Sequence, residues 1–351
     1  MDHREAVLVP RRGRSRRRRL VRLLVATALA VAIVLGGLPL VSGATWAATW
    51  SVLRDVSAPT LLLLTLVWLA GLWVHTVALV AAMPGLSPGR ALHLNLTGSA
   101  ASNVLPLGGA AGTAVNFWSC RRWGFTPDAF IRWALVTNLW DNALRLVLPA
   151  VAVAWLAVVG TAPTPGLRGL AGTGLVLLAA YLALIWALLH RSWADRGLGW
   201  VVGRLLPRTD GATGRQPRWV GGLPELRRTT LQLVRHSALR VAGGKAAYAV
   251  AQAWLLWLCL GAVGVSAPVV VVVAAFAVER LASLAVLTPG GSGLAEVGAV
   301  GVLVAFGLPG AAAVAAVLLY RTFIFLLEIP VGFLLLAGSA LVAPRPAVAS
   351  G

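Results

Sequence analysis

The chain has 351 residues, 59% of them hydrophobic and only 12% charged, with a mean hydropathy of +0.84, a balance that excludes an ordinary soluble domain. Its net charge is +19, but the Arg residues gather between apolar runs, where cytoplasmic loops of membrane proteins carry them, so nucleic acid is not an expected partner. The two cysteines, Cys120 and Cys259, lack the spacing of a metal site or disulfide framework, and no metal or cofactor is expected.

Residues 1–19 form a basic N-terminus containing Arg11, Arg12, Arg14 and Arg16 to Arg19. The apolar stretch that follows, Leu20 to about Val41, is too long for the core of a cleavable signal and reads as a retained first span. The basic cluster places the N-terminus in the cytoplasm. A short outer loop around Arg54 and Asp55 leads to a second span, about Pro59 to Ala82, which ends at the Pro and Gly residues of Pro84 to Arg90.

Ala91 to Trp118 contains no clean apolar 20-mer. It holds Asn95, Thr97, Ser99, Ser102, Asn103, Pro106, Gly108, Gly109, Gly112 and Asn116 between basic residues at both ends. A segment with both ends on one side dips into the membrane and returns, and its broken backbone requires protein or water to satisfy it. Two more spans follow, about Arg132 to Val159 and Leu167 to His190. The Arg-rich loop 191–240 is then expected on the cytoplasmic side and is too small for a catalytic domain.

A fifth span covers about Ala242 to Val263. Pro268 to Gly307 is a second dip, broken at Thr288 to Gly293, and Pro309 to about Val342 is the last span, followed by a short tail, 343–351. The expected fold is an all-α polytopic membrane protein with about six full spans and two broken re-entrant segments. Each dip reads as a Pro/Gly break, a short helix, a glycine turn and a long helix closing on Pro149 or Pro330. By the loop count the two enter from opposite sides, so the arrangement is an inverted repeat, which in transporters brings discontinuous helices to a midplane site.

Charges at membrane depth cost about 2.5 to 3.5 kcal/mol each even on the lenient insertion scale, and so need a reason. The acids inside spans are Asp141, Glu279, Glu296 and Glu328; the bases are Arg145, Arg280 and Arg321. Asp141 and Arg145, four apart, either neutralise each other or leave Arg145 facing a polar cavity. Glu279 and Arg280 point about 100° apart and should seek different partners. Arg321 and Glu328 are two turns apart on one face. The Gly-rich turns at Gly109 to Gly112 and Gly291 to Gly293 either present helix N-termini to a phosphate or serve close packing. His75 and His93 read as structural histidines.

The runs Ser102-Asn-Val-Leu-Pro-Leu-Gly-Gly-Ala-Ala-Gly-Thr-Ala-Val-Asn116 with Arg121-Arg-Trp-Gly-Phe125, Glu279-Arg-Leu, Thr288-Pro-Gly-Gly-Ser-Gly-Leu-Ala-Glu296 and Tyr320-Arg321 resemble the lysylphosphatidylglycerol synthase/flippase transmembrane domain family. The likeness covers about residues 20–340. It implies a domain that moves lipids or lipid-linked precursors between leaflets. In well-known members a soluble aminoacyl-transfer domain follows; with the sequence ending at Gly351, neither that synthase activity nor any other enzyme activity is expected. Many relatives carry Glu after the Gly of the first motif, where Thr113 stands here, which leaves Glu296 as the matched acid.

The resemblance and the charges together imply a polar groove for an anionic lipid headgroup. Asn103, Pro106, Gly108, Gly109, Gly112, Asn116, Asp141 and Arg145 line it from the first unit. Glu279, Arg280, Pro289, Gly290, Gly291, Gly293, Glu296 and Arg321 line it from the second. Two other readings stand. One is a proton-coupled secondary transporter of a small polar solute with Glu296 or Asp141 as proton site. The other is a non-transporting membrane partner whose basic loop recruits a lipid- or glycan-modifying enzyme. Residence in the cell inner (plasma) membrane with both termini cytoplasmic completes the expectation.

Overall fold

The structure is a computed structural model that describes residues 21, 24–104, 108–162, 164–190, 223–284, 288 and 291–341. Those residues contain helices and no strands. A backbone in lipid must satisfy its own polar groups, which helices do. We number them α1 (Leu24–Ser42), α2 (Trp46–Arg54), α3 (Ala58–Ala81), α4 (Pro88–Val104), α5 (Gly108–Arg122), α6 (Pro127–Val158), α7 (Pro165–His190), α8 (Leu223–Ala262), α9 (Val269–Ala282), α10 (Leu294–Ala305) and α11 (Gly310–Leu341). Six helices are long and apolar enough to cross a bilayer: α1, α3, α6, α7, the His236–Ala262 part of α8, and α11. The protein is an all-α polytopic membrane protein.

Three boundaries differ from the sequence expectation. The outer loop after the first span contains α2, whose N-cap Thr45 accepts a hydrogen bond from the Ala48 amide and whose Trp46 indole donates to the Leu35 carbonyl. The fifth span starts earlier than Ala242, because α8 takes in the end of the basic loop from Leu223. At about 1.5 Å per residue its 40 residues run about 60 Å, twice a hydrocarbon core. The last span is interrupted by a π-helical turn at Thr322–Leu326.

Helices α4 and α5, of 17 and 15 residues, and α9 and α10, of 14 and 12, are too short to span about 30 Å. Each pair folds into a hairpin. In the first, Gly98 packs against the Asn116 amide and Gly112 against the Ser102 hydroxyl; in the second, Gly298 packs against Val278 and Gly291 against Ser283. Both hairpins leave through a glycine that ends the helix in the left-handed region, Gly124 at φ 87° and Gly307 at φ 86°, a conformation a Cβ disfavours.

The units α3–α6 and α8–α11 are inverted with respect to each other. Gly71 of α3 packs on Ala251 and Gly244 of α8 packs on Ala78, so residue numbers fall on one helix as they rise on the other. Each hairpin also packs its first helix on the long helix of the other unit, α4 on α11 and α9 on α6. An apolar core runs through α9 to α11, including Phe276, Leu303 and Tyr320. A smaller cluster of Leu79, Met83, Leu94, Phe130, Trp133 and Val241 closes the other end.

The α3/α8 contact makes a direct prediction. A Cβ on Gly244 would lie 2.7 Å from the Ala78 nitrogen, whereas Gly243 has nothing within 4 Å. Gly244→Ala should destabilise the protein by about 1–3 kcal/mol, while Gly243→Ala should be neutral or stabilising by up to about 1 kcal/mol. Thermal unfolding of the two variants in detergent checks this.

Candidate functional site

The second hairpin brings its charges together at its tip. Glu279 and Arg280 close α9, Glu296 opens α10, and Arg321 reaches them from α11. Arg321 Nε donates to Glu296 Oε1 at 2.6 Å, Nη1 to Glu279 Oε1 at 3.0 Å, and Nη2 to Ser292 Oγ at 3.3 Å. Arg280 Nη2 donates to Glu279 Oε1 at 2.8 Å, its Nε to the other Glu279 oxygen, and Nη1 to Gln252 Oε1 at 3.4 Å. Glu279, Glu296 and Arg321 are buried, so this is a four-charge cluster of zero net charge. Such a pairing offsets desolvation cost more than it adds stability.

Two expectations change here. Adjacent residues on a helix point apart, yet Arg280 does pair with Glu279. Its long arm lies back across Phe276, with the guanidinium carbon 5.4 Å from the ring centre, and returns to the neighbouring carboxylate. Arg321 and Glu328 do not share a face, because the π turn between them inserts a residue and shifts the phase by about 100°.

A second polar group lies between α3, α6 and α8. Lys245 Nζ donates to Asp141 Oδ2 at 2.7 Å and lies 3.0 Å from His75 Nε2. His75 stacks on Tyr248 with ring centres 4.2 Å apart and planes inclined by 6°. Asp141 therefore pairs with Lys245 rather than with Arg145. The Asp141 side chain is 38% exposed about 21 Å along α6 from Pro127. A carboxylate at that depth cannot face lipid tails and must face a polar opening.

Arg145 lies between the two groups, feeling Arg280, Asp141, Glu279 and Tyr248. It is half-buried, and among the described residues it has neither an ion-pair nor a hydrogen-bond partner. Of the expected site arginines, then, Arg280 and Arg321 are occupied and Arg145 is not.

The first hairpin meets the same stretch of α11 from another side. Asn103 Nδ2 donates to the Phe325 carbonyl inside the π turn at 3.4 Å, and Ser99 faces the buried Glu328. Asn116 Oδ1 is buried without a partner. Both hairpin tips thus converge on residues 321–328.

The glycines of the two turns show packing. A Cβ on Gly108 would overlap the Ser102 carbonyl and one on Gly112 the Ser102 hydroxyl, whereas Gly109 has open space. A Cβ on Gly291 would lie 2.6 Å from Ser283 Cα, and one on Gly293 would lie 2.9 Å from Ile33. At the N-terminus of α10 the Gly293 amide is already taken by the Glu296 carboxylate, so that N–H does not wait for a phosphate. Pro106, Pro289 and Gly290 lie outside the described residues, as does most of loop 191–240. Lys245, His75, Gln252 and Ser292 were absent from the sequence-based site; the solitary lysine was the one signal that could have pointed to the group around it.

Two inverted helix–hairpin–helix units with paired charges at membrane depth define an all-α polytopic membrane protein. The model of one family, described as the lysylphosphatidylglycerol synthase TM region, matches residues 20–332, and the chain belongs to that family. No curated protein matches it.

Proposed function

We propose that this protein translocates a lipid or lipid-linked precursor between leaflets, with no catalytic step of its own. The phosphate of the headgroup meets Arg145 while the acyl chains remain in the bilayer. The observation that carries this reading is the partnerless Arg145 guanidinium at membrane depth. A charge so placed needs a counter-charge, and a planar guanidinium matches a phosphate bidentately. Arg280 and Arg321, held by Glu279 and Glu296, frame the path rather than bind. The lysylphosphatidylglycerol in the family's description supports a phosphate-bearing lipid headgroup as the substrate.

Arg90, Arg121, Arg122, Arg132 and Arg240 share the end of the helices where α8 begins, against Arg54 and Arg168 at the other. By the positive-inside rule the first end is cytoplasmic, in the plasma membrane of the cell.

The test is exchange of headgroup-labelled phosphatidylglycerol in phosphatidylcholine vesicles. The protein should speed exchange well above protein-free vesicles, and Arg145→Ala should lower the rate at least tenfold, about 1.4 kcal/mol, without lowering thermal stability. Wild-type protein that exchanges no lipid faster than empty vesicles would sink the reading. Full exchange by Arg145→Ala would remove Arg145 from it.

A further inference from the structure

We propose that Lys245, with His75 and Asp141, is a proton-exchange site that ties headgroup movement to a pH difference across the membrane; this rests on the translocation reading above.

Choice of residue is the first observation. Lys245 is the single lysine among 30 basic residues, and it sits where its charge is 3% exposed. An arginine would hold Asp141 as well in a permanent ion pair, and every other basic position of the chain has one. What an ammonium can do and a guanidinium cannot is give up its proton.

Geometry is the second. The Lys245 nitrogen touches an acceptor on each side, Asp141 Oδ2 at 2.7 Å and His75 Nε2 at 3.0 Å. The far side of the imidazole, Nδ1, is buried and turned toward the Asn95 amide of α4. A ring with one nitrogen on an amine and the other on a neutral side-chain amide can pass a proton from one face to the other.

The transfer balances with one proton. With Lys245 as the neutral amine, His75 carries its hydrogen on Nε2 and donates it to the lysine lone pair. A proton arriving at Nδ1 lets the Nε2 hydrogen pass to Nζ, so the imidazole ends neutral in its other tautomer and Lys245 becomes the ammonium. The reverse sequence releases the proton.

Coupling follows from the shared carboxylate. Asp141 lies one turn from Arg145 on α6, and each feels the other's charge. When Lys245 is an ammonium it holds Asp141, and Arg145 is left for a phosphate. When Lys245 is an amine, Asp141 turns its charge on Arg145 and competes with the phosphate. The other groups around the site are Tyr248 of α8, Arg280 and Glu279 of α9 and Glu328 of α11, all within electrostatic reach of Tyr248 or Arg145. Asp141, Glu279, Glu296 and Glu328 balance Arg145, Lys245, Arg280 and Arg321 when Lys245 is charged. With Lys245 neutral the sum is one negative charge, and taking up one proton with each anionic headgroup leaves that sum unchanged, so lower pH favours loading.

The experiment imposes a pH difference on vesicles holding the full chain and labelled phosphatidylglycerol, and reads the steady-state leaflet ratio. An electroneutral one-to-one exchange shifts that ratio by up to about tenfold per pH unit and ignores membrane voltage. In Lys245→Arg, whatever exchange remains should leave the ratio at one. Wild-type exchange that ignores the pH difference, or a pH-driven ratio retained by Lys245→Arg, overturns the coupling alone; absence of any exchange overturns it together with the translocation reading. A second measurement needs no variant: wild-type protein in weakly buffered detergent should take up about one proton for each short-chain phosphatidylglycerol bound, and uptake of none overturns the proposal.

Discussion

Arg321→Ala should cost about 3–5 kcal/mol of stability, the largest loss expected from any single side chain, because it strands two buried carboxylates. Among the described residues Arg321 is the one cation that touches both Glu279 and Glu296. Glu296 has no other ion-pair partner among the described residues, and its remaining oxygen caps the Gly293 amide. The check is a thermodynamic cycle from reversible unfolding in detergent. Glu296→Gln in the Arg321→Ala background should recover at least about 1 kcal/mol relative to the sum of the single losses. Strict additivity would mean that the two residues do not act as a pair.

Gly332→Ala should be the most disruptive substitution that adds only a methyl group. Gly332 of α11 packs against the backbone of Leu96 and the methyl group of Ala100 on α4, leaving no room for a Cβ, whereas Gly338, less than two turns on, has open space. We expect a loss of about 1–3 kcal/mol at Gly332 and a change of the opposite sign, up to about 1 kcal/mol, for Gly338→Ala. Because the damage is local, hydrogen exchange should quicken in α4 and α5 and stay unchanged in α9 and α10. Equal quickening in both hairpins would contradict the contact.

Much of this architecture was legible in the sequence because lipid simplifies the problem. Apolar runs of sufficient length mark spans, and Pro and Gly inside such runs mark the breaks at 105–109 and 288–293. The acids and bases at depth were visible for the same reason, since each stands alone in an apolar context. What stayed hidden was their pairing. Spacing along one helix suggested Asp141 with Arg145, but the partner came from α8, more than a hundred residues away, through an antiparallel helix contact that spacing cannot reveal. Arg321 and Glu328 seemed aligned until a π turn, which has no sharp sequence signature, rotated one away from the other. Lys245 stands out in the sequence only as the single lysine, and its pairing with Asp141 and His75 depends on the contact between α3, α6 and α8.

The two hairpins rest on one stretch of α11, but they are fastened to it by unlike forces. The second is held by a guanidinium clamped between two carboxylates, the first by an amide on a carbonyl and by close glycine packing. An inverted pair with equal fastenings would rock symmetrically. Here the fastenings are unequal, so we expect the first hairpin to yield before the second under thermal load. If the proposed translocation moves one hairpin against the other, its timing is set by the hydrogen bonds of Asn103 and Ser99 to α11, with the ionic clamp as the fixed point.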